Sequence, residues 1–198
     1  MTDGVAAVVL AAGLGSRLGG DVPKPLLSLG GQPLVAHALA AARGSGCDTV
    51  IVVVSDARVA DAIEGVEIVH NEQPERGIAS SLQVAIRVLE SHSEIRGAVV
   101  GLADQPLVGA AAYRRLAGAD APLAYATYGG EPANPVFIAR ELWPEVLELT
   151  GDVGARVLFG RHDALAVPCD GTGSPDDVDT PEDLARLESR WRSQTASE

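Results

Sequence analysis

Three stretches of this 198-residue chain combine charged side chains with backbone features that would expose them to a ligand. The first is Ala11-Ala12-Gly13-Leu14-Gly15-Ser16-Arg17-Leu18-Gly19, followed by Asp21-Val22-Pro23-Lys24-Pro25-Leu26. Glycines let the backbone approach an anion closely, and successive N–H groups can form a nest for phosphate oxygens. Arg17 and Lys24 add cations to that nest. The second is Gly101-Leu102-Ala103-Asp104-Gln105-Pro106, an acid just past an apolar run and before a proline turn, read either as a site for a hard cation or as an Asx-type turn or helix cap. The third, Asp176-Asp177-Val178-Asp179-Thr180-Pro181-Glu182-Asp183-Leu184, sets acids ahead of a helix. Capping accounts for Thr180 or Asp179. It does not require a further acid two residues earlier, at Asp177.

The glycine loop is not one of two familiar nucleotide motifs. A dinucleotide fingerprint needs Gly or Ala where Leu18 stands, and Asp56 lies much further on than the ~20 residues expected of its acid. A Walker A loop needs Gly-Lys-Ser/Thr, whereas Lys24 lies between two prolines. Lys24 is also the only lysine, against fourteen arginines. Without ligand it is expected to be exposed.

These stretches need elements to position them. Val5–Leu10, Thr49–Val54, Val66–His70, Ala98–Leu102 and Leu123–Tyr128 have the length and β-branched content of strands. Pro33–Arg43 carries apolar residues at 34, 35, 38, 39 and 42, a helical stripe. Ser80–Leu89 repeats the pattern, with its serine pair as candidate cap. Ala110–Leu116, Glu141–Leu149, Gly154–Phe159 and Pro181–Trp191 are further helix candidates. The alternation predicts an α/β fold, a single-domain Rossmann-like three-layer α/β/α arrangement with a mostly parallel sheet. In such a sheet ligands sit beyond the carboxyl ends of the strands, so all three stretches would meet at one edge. One domain over 1–192 and a polar tail over 193–198 is the expected organisation.

Composition narrows the function classes. The formal net charge of −12 argues against broad nucleic-acid binding. The longest apolar run, Val5–Ala12, is far short of the ~20 residues of a membrane helix, and no basic segment precedes it as in a signal peptide. Cys47 and Cys169 have no paired spacing for zinc and are too few for a secreted disulfide scaffold. A cytoplasmic protein that contacts neither membrane nor nucleic acid is expected. No Gly-x-Ser-x-Gly occurs, which weakens a hydrolase reading. His37, His70, His92 and His162, Trp143 and Trp191, and both cysteines are read as packing or solvated residues.

The glycine loop, Asp104-Gln105-Pro106 and Asp177–Leu184 together resemble nucleotidyltransferases of the MobA-like family, and within it the branch that cytidylates molybdopterin. Asn71 with Gly77-Ile78-Ala79-Ser80-Ser81-Leu82 resembles that branch's base-side stretch. Asn134-Pro135-Val136-Phe137 and Gly151-Asp152-Val153-Gly154-Ala155-Arg156 resemble its acceptor-side motifs. The matches run from residue 5 to 187. Arg17 to Lys24 is longer than usual for the branch, and with Pro23-Lys24-Pro25-Leu26 it looks more like sugar-nucleotide pyrophosphorylases. Ile78 replaces a common methionine.

The resemblance implies a Mg²⁺-dependent transfer of CMP from CTP to molybdopterin or its molybdenum form, with release of pyrophosphate. By it, Ala11, Ala12, Gly13, Gly15, Arg17 and Lys24 would hold the triphosphate, with Arg17, Lys24 and Asp104 as catalytic groups. Asp104 and Asp179 would bind the metal, with Asp177 in reserve. Asn71, Gly77 and Ser81 would face the base, and Asn134, Asp152 and Arg156 the acceptor. Passing contact with a molybdoenzyme or its chaperone is also implied. The rival readings are guanylyl or sugar-phosphate transfer on the same fold, an NAD(P)H-dependent pigment reductase of the same family, and a non-catalytic cofactor-binding module. The failed dinucleotide fingerprint weighs against the reductase.

Overall fold

A computed structural model describes residues 4–13, 15 and 21–195. The first strand, β1 (Gly4–Ala11), is buried throughout. Its side chains alternate between two cores. Val5, Ala7, Val9 and Ala11 face one, Ala6, Val8 and Leu10 the other. This is the period-2 geometry of a strand covered on both sides. A hairpin follows, β2 (Ser28–Leu29) with β3 (Gln32–Pro33), then helix α1 (Leu34–Arg43) and β4 (Thr49–Val54). Next come α2 (Ala57–Asp61), β5 (Glu67–His70), α3 (Ile78–Leu89), β6 (Ile95–Leu102) and α4 (Ala110–Ala117). The chain ends with β7 (Leu123–Tyr128), β8 (Glu131–Ala139), α5 (Trp143–Leu147), β9 (Leu165–Pro168) and α6 (Pro181–Thr195).

Seven strands form one sheet in the order β5-β4-β1-β6-β8-β7-β9. Pairing is parallel except where β8 lies antiparallel between β6 and β7. α1 and α4 cover one face through residues such as Val35, Leu39, Tyr113 and Leu116. α3 and α5 cover the other through Leu82, Ile86, Trp143 and Val146. The expected mostly parallel α/β/α fold is present. From β1 the chain builds outward to β4 and β5, then returns to β1's other side as β6. The crevice at this reversal, beyond the carboxyl ends of β1 and β6, is where such sheets take ligands.

The sequence did not mark the two-residue strands of the β2–β3 hairpin, nor two strands of the seven-stranded sheet. β9 is four residues of edge strand ending in Pro168. β8 contains Pro132 and Pro135, which ordinarily demote a segment from the sheet interior. The register explains the exception. Tyr125 pairs with Val136 and Ala126 with Ala133, so Asn134 and Pro135 bulge from the ladder. β6 pairs with β8 only from Gly97 to Val100, which leaves the bulge beside the end of β6. Other differences are local. Gly154–Phe159 is a run of 3₁₀ turns over Ala155–Gly160. The Glu141–Leu149 candidate is a 3₁₀ turn, Arg140–Leu142, leading into α5.

A third, smaller core joins α6 to the β2–β3 hairpin through Leu29, Leu34, Val178 and Leu187. Trp191 adds an edge contact to His37 at 4.8 Å, and His37 reaches the Leu29 carbonyl oxygen through Nε2 at 2.8 Å. The histidine is thus a tie between α1, the hairpin and α6. Thr180 caps α6, and Asp183 closes the cap reciprocally. The Asp183 carboxylate accepts from the Thr180 N–H at 2.9 Å, and Thr180 Oγ1 accepts from the Asp183 N–H at 3.2 Å. Hydrogen bonds from Thr180, then Arg186, pull the Asp183 carboxyl down to about 2. A depressed carboxyl stabilises the fold above its unfolded pKa, about 4, and the effect is lost as pH falls through about 2. Asp183→Asn is therefore expected to lower the thermal midpoint at pH 7, with the difference from the parent closing as pH is brought toward 2. A difference that persists unchanged in acid would refute the cap's charge dependence.

Candidate active site

A cavity of about 510 Å³ opens at the crevice between β1 and β6. That volume suits a small-molecule ligand. Its lining brings together ten of the residues singled out in the sequence: Ala11, Ala12, Gly13, Gly15, Lys24, Gly77, Ser81, Asp104, Asp152 and Asp179. They come from five separate segments. The β1 and β6 loops are adjacent because the two strands are parallel and in register to Leu10 and Leu102, and the Ala103 N–H extends the ladder to the Leu10 carbonyl at 3.0 Å. Glu75 also lines the cavity. It sits in a 3₁₀ turn, Pro74–Arg76, where no spacing pattern marks it. Arg17 lies outside the described residues.

Lys24 is the centre of the charge arrangement. Its Nζ donates to Asp104 Oδ2 at 2.6 Å and to Asp179 Oδ1 at 2.7 Å. Its side chain is only 10% exposed, so the expectation of an exposed lysine is corrected. Two carboxylates in reach are enough to draw the ammonium inward. Burial alone would pull the Lys24 pKa down, but the charge and hydrogen bonds of Asp104 and Asp179 outweigh it and hold it above the ordinary lysine value. Asp179 is not the helix cap, since Thr180 fills that place; its carboxylate lines the cavity beside Lys24. Asp177 stands within electrostatic reach. Burial, then the charges of Asp179 and Asp104, raise its carboxyl above the usual range.

Among the described residues the lining sets Glu75, Asp104, Asp152 and Asp179 beside one lysine. Asp104 Oδ1 is buried and makes no hydrogen bond among the described residues. A buried carboxylate oxygen without a partner is costly unless something fills the place. A hard divalent cation fits that oxygen and the carboxylate of Asp179 by donor chemistry. Among the described residues no three His, Cys, Asp or Glu side chains form a complete cage. Further oxygens would have to come from phosphate and water, the usual arrangement for Mg²⁺.

The base-side stretch is ordered differently from the sequence expectation. Asn71 is buried, and its Nδ2 donates to Ser80 Oγ and Ser81 Oγ, both at 2.9 Å, while its Oδ1 accepts from the Gln73 N–H at 3.0 Å. It organises the loop and does not line the cavity. The serines lie inside α3 and do not cap it; Gly77 occupies the N-cap position. Gly77 has φ of 83° and ψ of −178°, a region essentially reserved for glycine. A Cβ there would lie 2.5 Å from the Gly151 carbonyl. Gln83 Nε2 holds the same neighbouring loop by donating to the Leu147 and Leu149 carbonyls at 2.9 and 2.7 Å. Gly77→Ala is expected to cost roughly 3 kcal/mol, from backbone strain and the clash together. At about 2–4 °C per kcal/mol for a chain of this size, calorimetry should show a fall of roughly 6–12 °C. A fall under about 2 °C would mean that the two loops separate without cost.

Asn134 and Arg156 also stand outside the cavity lining. Asn134 Nδ2 donates to Gln105 Oε1 at 3.2 Å, and Arg156 Nη2 donates to the Pro132 carbonyl at 3.0 Å. Asn134 thus sits on the β8 bulge, and Arg156 is braced on Pro132 at the start of the same strand.

Comparison with known proteins settles the lineage. Residues 7–165 match the model of the MobA-like NTP transferase domain. The chain belongs to this family. Rv0371c from Mycobacterium tuberculosis H37Rv superposes with a TM-score of 0.83 at 32% identity, covering 96% of this chain and 100% of that one. The same mycobacterial protein in a complex with manganese superposes at 0.79 and 31% identity, covering 94% and 98%. The bifunctional protein GlmU of Kineococcus radiotolerans is 39% identical over 122 residues, 59% of this chain and 24% of that protein. The chain spans about a quarter of the length of that curated relative. As a MobA-like domain it carries the family's NTP-transferase fold over most of its length. Among the described residues no helix is long and apolar enough to cross a membrane.

Proposed function

We propose that this MobA-like domain is a divalent-metal-dependent nucleotidyltransferase that transfers CMP from CTP to molybdopterin or its molybdenum form and releases pyrophosphate. One observation carries the reaction type: two carboxylates from distant loops, Asp104 and Asp179, converge on a single ammonium at 2.6 and 2.7 Å beside the glycine-rich β1 loop. Nucleotidyl transfer sets an acceptor phosphate against the α-phosphorus of a polyanion. Catalysis is then mainly alignment and charge neutralisation. Ala11, Ala12, Gly13 and Gly15 line the cavity and would offer backbone N–H groups to the triphosphate. Lys24 holds a compact positive charge at its rim, and Asp104 with Asp179 would hold Mg²⁺. The metal supplies Lewis-acid stabilisation of charge on the phosphate oxygens. Without it the cavity would set Glu75, Asp104, Asp152 and Asp179 against phosphates, so strict metal dependence is expected.

The preference for CTP and molybdopterin rests on the resemblance of the 71–82 and 134–156 stretches to the cytidylylating branch. A sugar phosphate is the second reading, carried by the likeness of Pro23-Lys24-Pro25-Leu26 to sugar-nucleotide pyrophosphorylases. Pyrophosphate release measured across the four NTPs, with and without molybdopterin and Mg²⁺, decides between them. Release from CTP that needs molybdopterin is expected. Release only with a sugar phosphate favours the second reading, and none under any condition sinks the enzyme reading.

Arg156→Ala tests the acceptor side. A guanidinium suits bidentate phosphate or pterin contacts, and Arg156 is exposed beside β8. Acceptor affinity is expected to fall about 10-fold, about 1.4 kcal/mol, with NTP affinity unchanged. Unchanged acceptor affinity in a titration would reduce Arg156 to a surface brace on Pro132.

A further inference from the structure

The segment that carries Asp177 and brings Asp179 to the cavity, residues 174–179, has no regular secondary structure. It runs antiparallel to the loop after β6 and is stitched to it by a sparse ladder. The Gly109 N–H donates to the Thr172 carbonyl at 3.0 Å, the Ser174 N–H to Leu107 at 3.0 Å, and the Val178 N–H to Asp104 at 2.9 Å. Between the last two rungs no backbone bond joins the segments. Gln105 fills that interval with its side chain. Its Nε2 donates to the Pro175 carbonyl at 2.9 Å.

The amide is held at both ends. Gln105 is 8% exposed, and its Oε1 accepts from Asn134 Nδ2 at 3.2 Å. A carbonyl only accepts, so the amide nitrogen must face Pro175 and its oxygen must face Asn134. Asn134 is able to reach it because the bulge releases residues 134 and 135 from the β8 ladder. One buried side chain thus ties together the loop of Asp104, the segment of Asp179 and the bulge of β8.

We infer that Gln105 is a positioning residue: its side-chain rung to Pro175 sets the separation of Asp104 and Asp179 and so the affinity of the site for a divalent cation. The inference rests on the proposed role of those two acids as metal ligands. Outer residues that orient metal ligands typically change affinity 10–100-fold when removed. Gln105→Met keeps the length and volume of the side chain and removes both hydrogen bonds.

The probe is Mn²⁺ alone, titrated into nucleotide-free protein and followed by electron paramagnetic resonance. Gln105→Met is expected to bind about 10-fold more weakly. The metal concentration for half-maximal turnover should rise by a similar factor, with kcat at saturating metal within about threefold of the parent. Asn134→Ala, which leaves the rung to Pro175 in place, should keep Mn²⁺ affinity within about twofold. Thr172→Val removes a side-chain bond to the Cys169 carbonyl at the start of the same ladder and reports on stability without touching the rung. Gln105→Asn, one methylene too short to reach both partners, carries the test if the methionine variant does not fold.

Two outcomes overturn the inference: parent-like Mn²⁺ affinity in a folded Gln105 variant, or an equal loss of affinity in Thr172→Val. Asp104→Asn separates this from the metal assignment itself. If Asp104→Asn also binds Mn²⁺ like the parent, the ligand assignment fails. If it loses Mn²⁺ while Gln105→Met does not, only the role of Gln105 fails.

Discussion

Asp104→Asn is expected to lower turnover by about 10³-fold, about 4 kcal/mol of transition-state stabilisation, while the protein stays folded. Asparagine preserves the shape of the side chain and its place after β6, but a neutral amide is a poor ligand for a hard cation. The change also removes a charge from the ion pair with Lys24, whose ammonium is 2.6 Å from Asp104 Oδ2. Asp179→Asn should act in the same direction. Its carboxylate does not cap α6, so the helix keeps the Thr180–Asp183 cap in the variant. Steady-state turnover at limiting Mg²⁺ is the measurement. Near-parent activity of either variant would remove that residue from the metal site, and Asp177 would then be tested in its place.

Lys24 is expected to give the second large effect, and one that tells geometry from charge. The ammonium sits as a point charge between two carboxylates, with Pro23 and Pro25 stiffening the backbone on either side. A planar guanidinium needs more room and fixed angles. Lys24→Arg is expected to lose about 10-fold in turnover, and Lys24→Ala about 10²-fold or more. Because the lysine is buried between acids, Lys24→Ala should also destabilise the metal-free protein. Removing one partner of a partly buried pair leaves like charges facing each other, at a cost of roughly 2 kcal/mol. That is roughly 4–8 °C in thermal midpoint, and added Mn²⁺ should restore more of it than it adds to the parent. If Lys24→Arg keeps full activity, the lysine contributes only to the general field. If Lys24→Ala leaves the metal-free midpoint unchanged, the ion pairs contribute nothing to the fold.

Most of the scaffold was legible because parallel strands covered on both faces must be apolar along their length. Val5–Leu10 and Thr49–Val54 carry that mark, and the stripes of α1 and α3 carry the helical period. The strands that escaped detection obey a different logic. β8 tolerates Pro135 because its bulge takes Asn134 and Pro135 out of the ladder, and Pro132 because that end of β8 pairs with β7 alone, register relations that no strand reveals by itself. The serine pair of α3 likewise looked like a cap. Its hydroxyls instead receive Asn71, and Gly77 starts the helix because only glycine accommodates the approach of Gly151.

The sequence by itself determined the glycine loop, the isolated lysine and the three acids near strand and helix ends, since local chemistry and periodicity reside in neighbouring residues. It also carried the family's motifs in order along the chain. Tertiary structure alone decided how those parts meet. Lys24, Asp104 and Asp179 are separated by 80 and 155 residues along the chain, and only the reversal of strand order at β1 and β6 brings them within hydrogen-bond reach. It likewise decided that Asn71 is buried as a loop organiser and that Gln105 replaces a missing backbone rung. Such roles depend on which carbonyl or amide lies opposite, a property of the packed chain that residue type and spacing do not encode.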